Sequence, residues 1–297
     1  MTIAAAPAAE FEQHRPRLFG LAYRMLGSAH EAEDAVQDAY LRFSGADRQS
    51  IEHPAAWLAK VVTNLCLTRL TSARARREQY VGEWLLEPVA TSDGTLGPLE
   101  SAEQREAVSV AMLMLLERLT PAERAVYVLR EAFGYGHRDI AEALELSEAN
   151  CRQLYRRAVR RVSAQENRFT PVPERQEELV RSFITAARDG DLAGLEKLLA
   201  HDATWRTDSG GKVRAARRVI EGHERVARFV LGALEKFSAG IDFRLAEVNG
   251  ATALTGWTGD ELRIVVAFEV REERIAHVRS VMNPEKLGFV RRQLLGA

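Results

Sequence analysis

The sequence predicts a multidomain protein in which two all-helical domains are followed by an α+β domain. Apolar residues recur at helical spacing over residues 10–80 and 105–168. Beyond residue 240 the spacing falls to two, which is typical of strands with one buried face. The chain has 297 residues, enough for about two domains at roughly 100–200 residues each.

The first predicted helical domain spans residues 1–80. Ser28 has the spacing of an N-cap, because Glu31 follows it as in a capping box. The stretch HEAEDAVQDAYLRF then repeats apolar residues at helical intervals and leaves polar residues on the opposite face. Pro54 opens a further helix, AAWLAKVVTNLCLTRL, since proline is tolerated in a first turn. This helix continues into the basic segment SARARRE.

Two linkers are predicted, at residues 81–104 and 169–175. The first contains the motif WLLEP, two prolines and three glycines, and shows little periodicity. The second, FTPVPER, carries two prolines. These linkers leave a second helical domain at 105–168 and the α+β domain at 176–297.

The domain at 105–168 has the pattern of a helix-turn-helix. Thr120 caps a helix with Pro121 in its first position, and a short helix follows after FGYGH. A tight turn then leads to Ser147, the predicted N-cap of the second helix. The turn carries Glu145 where glycine is common, which departs from the usual pattern.

The second helix of this motif contains the segment SEANCRQLYRRAVRR, with five arginines and one acid in a chain of net charge −1. Arginine can donate two hydrogen bonds to guanine in the major groove, and glutamine can bind adenine. Arginines further along such a helix contact phosphates. An arginine-rich solvated face on an ordinary bundle helix is the alternative. The predicted DNA-binding residues here are Arg152, Gln153, Arg156, Arg157 and Arg160.

The remaining segment predicts helices followed by an antiparallel meander. Asn249-Gly250 between two alternating segments is a strong hairpin signal. The predicted elements are helices at 175–189, 191–200 and 222–237, a short strand at 203–207, and the strands IDFRLAEV, ATALTGW, ELRIVVAFEV and RIAHVRSVM.

The composition of the sequence argues against a membrane-spanning, a secreted or a metal-binding protein. No apolar run approaches the roughly 18 residues of a membrane span, and the N-terminus lacks the pattern of a signal peptide. We therefore expect a cytoplasmic protein with no membrane partner. Cys66 and Cys151 are expected to be buried thiols. The histidines show no metal-ligand spacing, so neither a metal nor a cofactor is expected.

Together, the two helical domains resemble the extracytoplasmic-function (ECF) sigma factors of RNA polymerase. The resemblance covers about residues 10–165 and rests on HEAEDAVQDAYLRF, HPAAWLAKVVTNLCLTRLTSARARRE and LTPAERAVYVLREAFGYGHRDIAEALELSEANCRQLYRRAVRR, in that order. In that family the first domain docks on the polymerase clamp helices and melts the minus-ten element, and the second reads the minus-thirty-five element. The resemblance therefore implies a promoter-specificity subunit whose partners are the polymerase core, with its clamp helices and flap, and promoter DNA.

The resemblance also implies roles for residues of the first domain. Asn64 matches the position that captures a flipped minus-ten base, and an amide can pair with a base edge outside the stack. Four basic residues suit the DNA backbone, although each is also compatible with a solvated surface: Arg69, Arg74, Arg76 and Arg77. The polymerase-contacting positions are Asp34, Gln37, Asp38 and Arg42.

The α+β domain resembles the SnoaL-like, cone-shaped fold, and one subgroup of ECF sigma factors carries such an extension. That subgroup has WLPEP, DGGGK and NPDKL motifs, for which this chain reads WLLEP, DSGGK and NPEKL. The resemblance implies that the extension regulates activity in cis. The alternative is a fold-stabilising turn and a terminal cap. The predicted docking residues are Trp84, Glu87, Pro88, Asp208, Gly210, Gly211, Lys212, Asn283, Pro284, Lys286 and Leu287.

Two other functions stay open at this point: a helix-turn-helix activator, and a DNA reader fused to a small-molecule sensor or enzyme. Trp205, Phe229, Phe268, Asp208 and Trp257 could line a pocket for a ligand of unknown identity. An enzyme would need a general base there, and the candidates are Asp208 and His201. We expect no enzymatic activity, because aspartate is a common turn former and Lys212 would be a poor partner for a catalytic base.

Overall fold

The computed structural model describes residues 5–47, 50–78, 80–92, 94, 96, 107–166 and 173–296. The chain forms two compact units. The first contains residues 1–78, 93–108 and 112–164, and the second contains 79–92, 109–111 and 165–297. The predicted fold class is confirmed: helices alone build the described part of the first unit, and a mixed sheet with helices builds the second.

Several helices of the first unit begin where the sequence predicts, after Ser28, at Pro54, and after Thr120 and Ser147. The Ser28 hydroxyl accepts a hydrogen bond from the Glu31 backbone N–H at 3.1 Å. Thr120 and Glu123 form a reciprocal capping box. The helices are α1 (Ala5–Leu26), α2 (Ala29–Gly45), α3 (Pro54–Glu78), α4 (Val110–Leu116), α5 (Pro121–Glu131), α6 (His137–Ala143) and α7 (Glu148–Glu166). The first two residues of α4 and the last two of α7 are grouped with the second unit.

Buried arginines join α1 to the helix-turn-helix within the first unit. The Arg124 guanidinium on α5 donates to the Met25 carbonyl at 2.7 Å and pairs with Glu117 at 2.8 Å. Arg24 donates to the Gly20 carbonyl and lies over the Phe133 ring, 5.6 Å from its centroid. Burial lowers the pKa of both arginines to about 10.

The second unit is built on a six-stranded sheet of order β2-β1-β6-β5-β4-β3. The strands are β1 (Leu199–Asp208), β2 (Ile220–Glu221), β3 (Asp242–Val248), β4 (Ala251–Thr258), β5 (Glu261–Arg271) and β6 (Arg274–Val281). The predicted hairpin is present, with Asn249 and Gly250 between β3 and β4 at φ angles of 53° and 73°. One expectation is incomplete: β1 pairs in parallel with β6, so the sheet is mixed and not a pure meander.

Alternation along the strands gives the sheet two buried faces. Val266, Phe268 and Val278 pack on one face against α8 (Pro173–Arg188), α9 (Leu192–Leu198) and α10 (His223–Phe237). Val265 and Val281 belong to the opposite face, whose core also includes Leu85 of the first predicted linker.

A terminal helix was not predicted. Pro284 to Leu295 form α11, and the Asn283 side chain caps it by accepting a hydrogen bond from the Glu285 N–H at 3.1 Å. The NPEKL motif therefore supplies the N-cap and the first turn of α11. None of the described helices combines the length and hydrophobicity that a membrane crossing needs.

Candidate nucleic-acid interface and linker-docking site

Local capping and packing position the basic helix α7. The Ser147 hydroxyl accepts the Asn150 N–H at 3.2 Å, and Glu145 in the preceding turn adopts a φ of 56°. That left-handed conformation explains why glycine is common there. Cys151, Ala158 and Val162 are buried. These contacts fix the opposite face of α7 toward solvent.

The predicted DNA-binding residues of α7 all lie on this solvent-facing side: Arg152, Gln153, Arg156, Arg157 and Arg160. Arg152 pairs with Glu148 at 2.5 Å. Within the described chain, the guanidiniums of Arg156, Arg157 and Arg160 form no ion pair. Exposed, unpaired guanidiniums on a capped helix can donate to base edges and phosphates.

The predicted polymerase-contacting residues share one face of α2. Gln37 and Arg42 are exposed, and Asp34 and Asp38 are half-buried. Leu41 lies on the same face by helical spacing, and 61% of its surface is exposed. Sequence reasoning missed Leu41, although its spacing from Asp34 and Asp38 was available. An apolar side chain among polar ones is typical of the centre of a protein-binding surface.

Arg69, which is predicted to bind DNA, contacts Asp38, which is predicted to bind the polymerase. The Arg69 guanidinium on α3 pairs with Asp38 on α2 at 2.7 Å and donates to the Glu31 carbonyl. Asn64 lies half-buried on α3. Arg74, Arg76 and Arg77 belong to the last turns of α3, and their side chains lie outside the described residues.

Residues 80–92, which are Tyr80 and the first part of the predicted linker, are packed on the sheet face described above. Leu85, Leu86, Val89 and Ala90 are buried, and Ala90 forms an antiparallel bridge with Val248. This part is therefore an ordered element of the second unit. Residues 97–104 lie outside the described residues.

Asp208 is the centre of this linker-docking site. Its side chain is fully buried, and it accepts hydrogen bonds from the Tyr80 hydroxyl at 2.5 Å, the Leu85 N–H at 2.8 Å and Lys286 Nζ at 2.7 Å. Lys286 Nζ also donates to the Leu85 carbonyl at 2.5 Å. The buried charge pair is thus completed by linker backbone.

Aromatic groups complete the same cluster. Lys286 Nζ lies 4.3 Å from the Trp84 ring centroid and 4.8 Å from that of Tyr80, within the range of cation–π attraction. Asn283 donates to the Tyr80 hydroxyl at 2.8 Å. Burial raises the pKa of Tyr80, and its hydrogen bond to Asp208 raises it further, so the phenol stays a donor.

Both glycines of the DSGGK motif have backbone angles that favour glycine, and Gly210 also has no room for a side chain. Gly210 and Gly211 have φ angles of 58° and 71°, which favour glycine. A Cβ on Gly210 would lie 2.5 Å from Asn283 Nδ2 and 3.1 Å from the Tyr80 hydroxyl. The turn therefore touches both the linker and the α11 cap.

The other predicted docking residues differ in their partners and in their burial. Lys212 forms an exposed ion pair with Glu285 and does not reach Asp208. Leu287 and Pro88 are buried, and Glu87 is half-buried. Sequence reasoning missed Tyr80 and four further contacts, because the partners are far apart in the sequence: Glu83 with Arg206, Val89 with Asn249, Ala90 with Gln293, and Thr91 with Glu247.

The expected pocket exists, but two of its predicted residues are elsewhere. Trp205, Phe229 and Phe268 line a cavity on the face of the sheet that bears α8 to α10. Asp208 and Trp257 lie outside its lining, since Asp208 binds the linker and Trp257 belongs to the opposite core. Asp208 therefore cannot act as a general base in this cavity.

Two smaller expectations concern cysteines and metals. Cys66 and Cys151 are buried free thiols, as predicted. Within the described part of the chain, no cluster of three His, Cys, Asp or Glu residues has metal-binding geometry.

Comparisons with known proteins agree with this architecture. Family models match for Sigma-70 region 2 at residues 11–76, Sigma-70 region 4 at 109–162, and a SnoaL-like domain at 180–278. The ECF RNA polymerase sigma factor SigM of Mycobacterium tuberculosis is 29% identical over 156 residues, covering 52% of this chain and 73% of SigM.

Other relatives match across all three domains. The ECF RNA polymerase sigma factor SigJ of Mycobacterium tuberculosis is 37% identical over 287 residues, covering 93% of this chain and 92% of SigJ. The crystal structure of that sigma factor superimposes with a TM-score of 0.75, covering 94% of this chain and 98% of the solved one. The chain therefore belongs to the extracytoplasmic-function sigma factors of RNA polymerase, with a SnoaL-like domain fused to its two helical domains.

Proposed function

We propose that the chain binds the polymerase core through α2, binds promoter DNA through α3 and α7, and is regulated in cis by its second unit. The core contacts are the clamp helices, for α2, and the flap, for the helix-turn-helix. In this proposal the chain acts in the cytoplasm beside the polymerase and catalyses no reaction itself. The interlocking of Asp208 with linker residues is the observation that supports regulation in cis.

The surfaces of the first unit suit external partners. The α2 face combines acidic, amide and basic groups around the exposed Leu41, a mixture suited to a protein partner. The α7 face combines Gln153 with exposed arginines, which suits a DNA groove.

The contacts within the first unit imply that its two helical domains must separate before the chain can initiate transcription. Two promoter elements about 25 base pairs apart are separated by roughly 85 Å at 3.4 Å per base pair. The helices α3 and α7 are about 38 and 28 Å long at 1.5 Å per residue. Direct contact between α1 and α5, with Arg124 at 2.7 Å from the Met25 carbonyl, keeps the two helical domains too close to span that distance.

The docked linker then restrains the separation of the two helical domains. Residues 80–92 follow α3 and precede the helix-turn-helix, so they belong to the connection that must extend when the helical domains separate. Held by Asp208 and Lys286, this segment has a fixed path. A tethered partner reaches high effective concentration without high intrinsic affinity, and it biases which arrangement is populated.

Transcription by purified core polymerase, on a promoter selected from a random template pool, tests the sigma assignment. We expect initiation only when the chain is added, and loss of initiation with Leu41→Asp while binding to promoter DNA by α7 persists. Arg181→Ala on the exposed face of α8 is the matched control. DNA binding without initiation by the wild-type chain would favour the activator function.

A further inference from the structure

The second unit contains a large cavity on the face of the sheet opposite the docked linker. Its volume is about 1250 Å³, larger than the roughly 300–1,000 Å³ of typical ligand pockets. Aromatic and aliphatic side chains form most of the wall: Phe183, Trp205, Phe229, Leu234, Phe237 and Phe268. Such a wall favours a ligand with an extended apolar body, since it removes apolar surface from water.

The inner wall presents polar groups that already have partners. The Thr207 and Ser280 hydroxyls lie 2.8 Å apart on adjacent strands. The Trp205 indole N–H donates to both, at 3.0 and 3.1 Å. Edge-to-face contact with Phe229, at 5.4 Å between centroids, fixes the indole further. This part of the cavity thus offers shape and apolar area but no charge.

Charge is concentrated at the mouth. Arg188 at the end of α8, Arg214, and Arg263 near the start of β5 line the cavity and are exposed. None of these guanidiniums forms an ion pair with any residue that the structure describes. Glu235 is the acidic side chain in the lining. Basic groups therefore outnumber acidic ones by three to one where a ligand would meet solvent.

We propose that this cavity binds an amphipathic small molecule of the long-chain carboxylic acid class. The apolar chain lies against the aromatic wall, and the carboxylate lies at the mouth beside the arginines, which can bind it with charge-assisted hydrogen bonds. Each further buried methylene is expected to strengthen binding about fourfold until the cavity is filled.

The site is placed to influence the linker. Trp205 and Thr207 line the cavity, whereas their neighbours in β1, Arg206 and Asp208, hold linker residues on the opposite face. One strand thus carries both sites on alternate residues. Any effect of the ligand on transcription would rest on the proposed regulation in cis, whereas its binding would not.

Fluorescence titration of the full-length chain with an 18-carbon conjugated polyene fatty acid tests the proposal. We expect saturable one-to-one binding, at least tenfold weaker in Ala233→Trp, which places an indole inside part of the cavity from α10. Arg263→Glu should weaken binding of the acid at least tenfold and leave its methyl ester unaffected. Arg225→Glu, at an exposed position of α10 outside the lining, should change neither.

Any of three outcomes would overturn the proposal. These are the absence of saturable binding of the probe, an effect of Arg263→Glu on the affinity for the acid that is no larger than its effect on the affinity for the ester, and an unchanged affinity in Ala233→Trp. Dimers that exclude the probe and dissociate with Phe237→Glu would instead make the mouth a self-association surface. If Ala233→Trp fails to fold, saturated acids of 10, 14 and 18 carbons competing with the probe give the same test, since affinity must rise with length. Because fluorescence reports binding and not transcription, this result is independent of the proposed function.

Discussion

The two functional regions differ in how their charged groups are satisfied. On α7, Arg156, Arg157 and Arg160 are exposed and form no ion pair with described residues. Asp208, by contrast, is fully buried and accepts hydrogen bonds from the linker and from Lys286. Exposed charge is available to an external partner, whereas a buried carboxylate is stabilised only by the partners that the fold supplies. The difference supports the proposal that α7 is a surface for another molecule and that Asp208 holds the linker on the second unit.

Removal of the Asp208 carboxylate should have the largest effect. Asp208→Ala leaves Lys286 as an uncompensated buried charge, so we expect the free energy of unfolding to fall by about 3–5 kcal/mol. Urea unfolding measures the change. Asp242→Ala removes a carboxylate from an exposed ion pair in the same sheet and should change stability by less than about 1 kcal/mol. Equal effects of the two variants would contradict the contrast between buried and exposed charge.

The substitution Gly210→Ala adds a methyl group that disturbs the docking site without removing a charge. Gly210→Ala combines a positive φ with a Cβ 2.5 Å from Asn283 Nδ2, and we expect a loss of roughly 2–3 kcal/mol. Gly240→Ala has a similar φ of 77° but no atom within 4 Å, so it should lose only the backbone part. Protease cleavage within 80–92 should become faster in Gly210→Ala alone. Identical cleavage rates in the two variants would show that the turn does not support the linker.

Substitutions on α7 should affect DNA binding and leave stability unchanged. Arg156→Ala should weaken binding to the cognate promoter by about 1–3 kcal/mol if it contacts a base, and relax specificity there. Arg160→Ala should weaken binding to all sequences alike and reduce the salt dependence, as expected of a phosphate contact. Competition binding at two salt concentrations separates these outcomes. A fall in thermal stability with either variant would mean that these side chains support the fold.

The smallest expected effect concerns a half-buried histidine in the sheet. Burial lowers the pKa of His277, whose Nδ1 lies 2.8 Å from the Thr204 hydroxyl. The unfolded chain therefore binds a proton more readily than the folded one, so stability falls as pH drops below about 6.5. His277→Gln should flatten the dependence of the melting temperature between pH 7 and pH 5.5. An unchanged slope would assign that dependence to other groups.

The α7 surface could be predicted because its signals are local. Thr120, Pro121 and Ser147 mark helix starts through contacts within three residues. The exposed face then follows from helical periodicity. Even the unusual Glu145 agrees with the pattern, since a single left-handed residue is sufficient for the turn.

The docking site could be predicted only in part, because its contacts are distant in sequence. The motifs identified Asp208 and Lys286 as candidates, but the partners Tyr80 and the Leu85 backbone are 128 and 123 residues from Asp208. The parallel pairing of β1 with β6 was missed for the same reason. By contrast, α11 was within reach of sequence reasoning, since Asn283-Pro284 is a local helix-start signal.

The proposed restraint by the docked linker is tested most directly by multiple-round transcription with purified core polymerase. Wild-type chain, Asp208→Ala and Asp242→Ala would be compared at equal concentration on one selected promoter. We expect several-fold more transcript with Asp208→Ala than with the wild-type chain, because the released linker lets the two helical domains separate, and no change with Asp242→Ala. Transcript from Asp208→Ala at or below the wild-type amount, with promoter binding intact, would contradict the restraint.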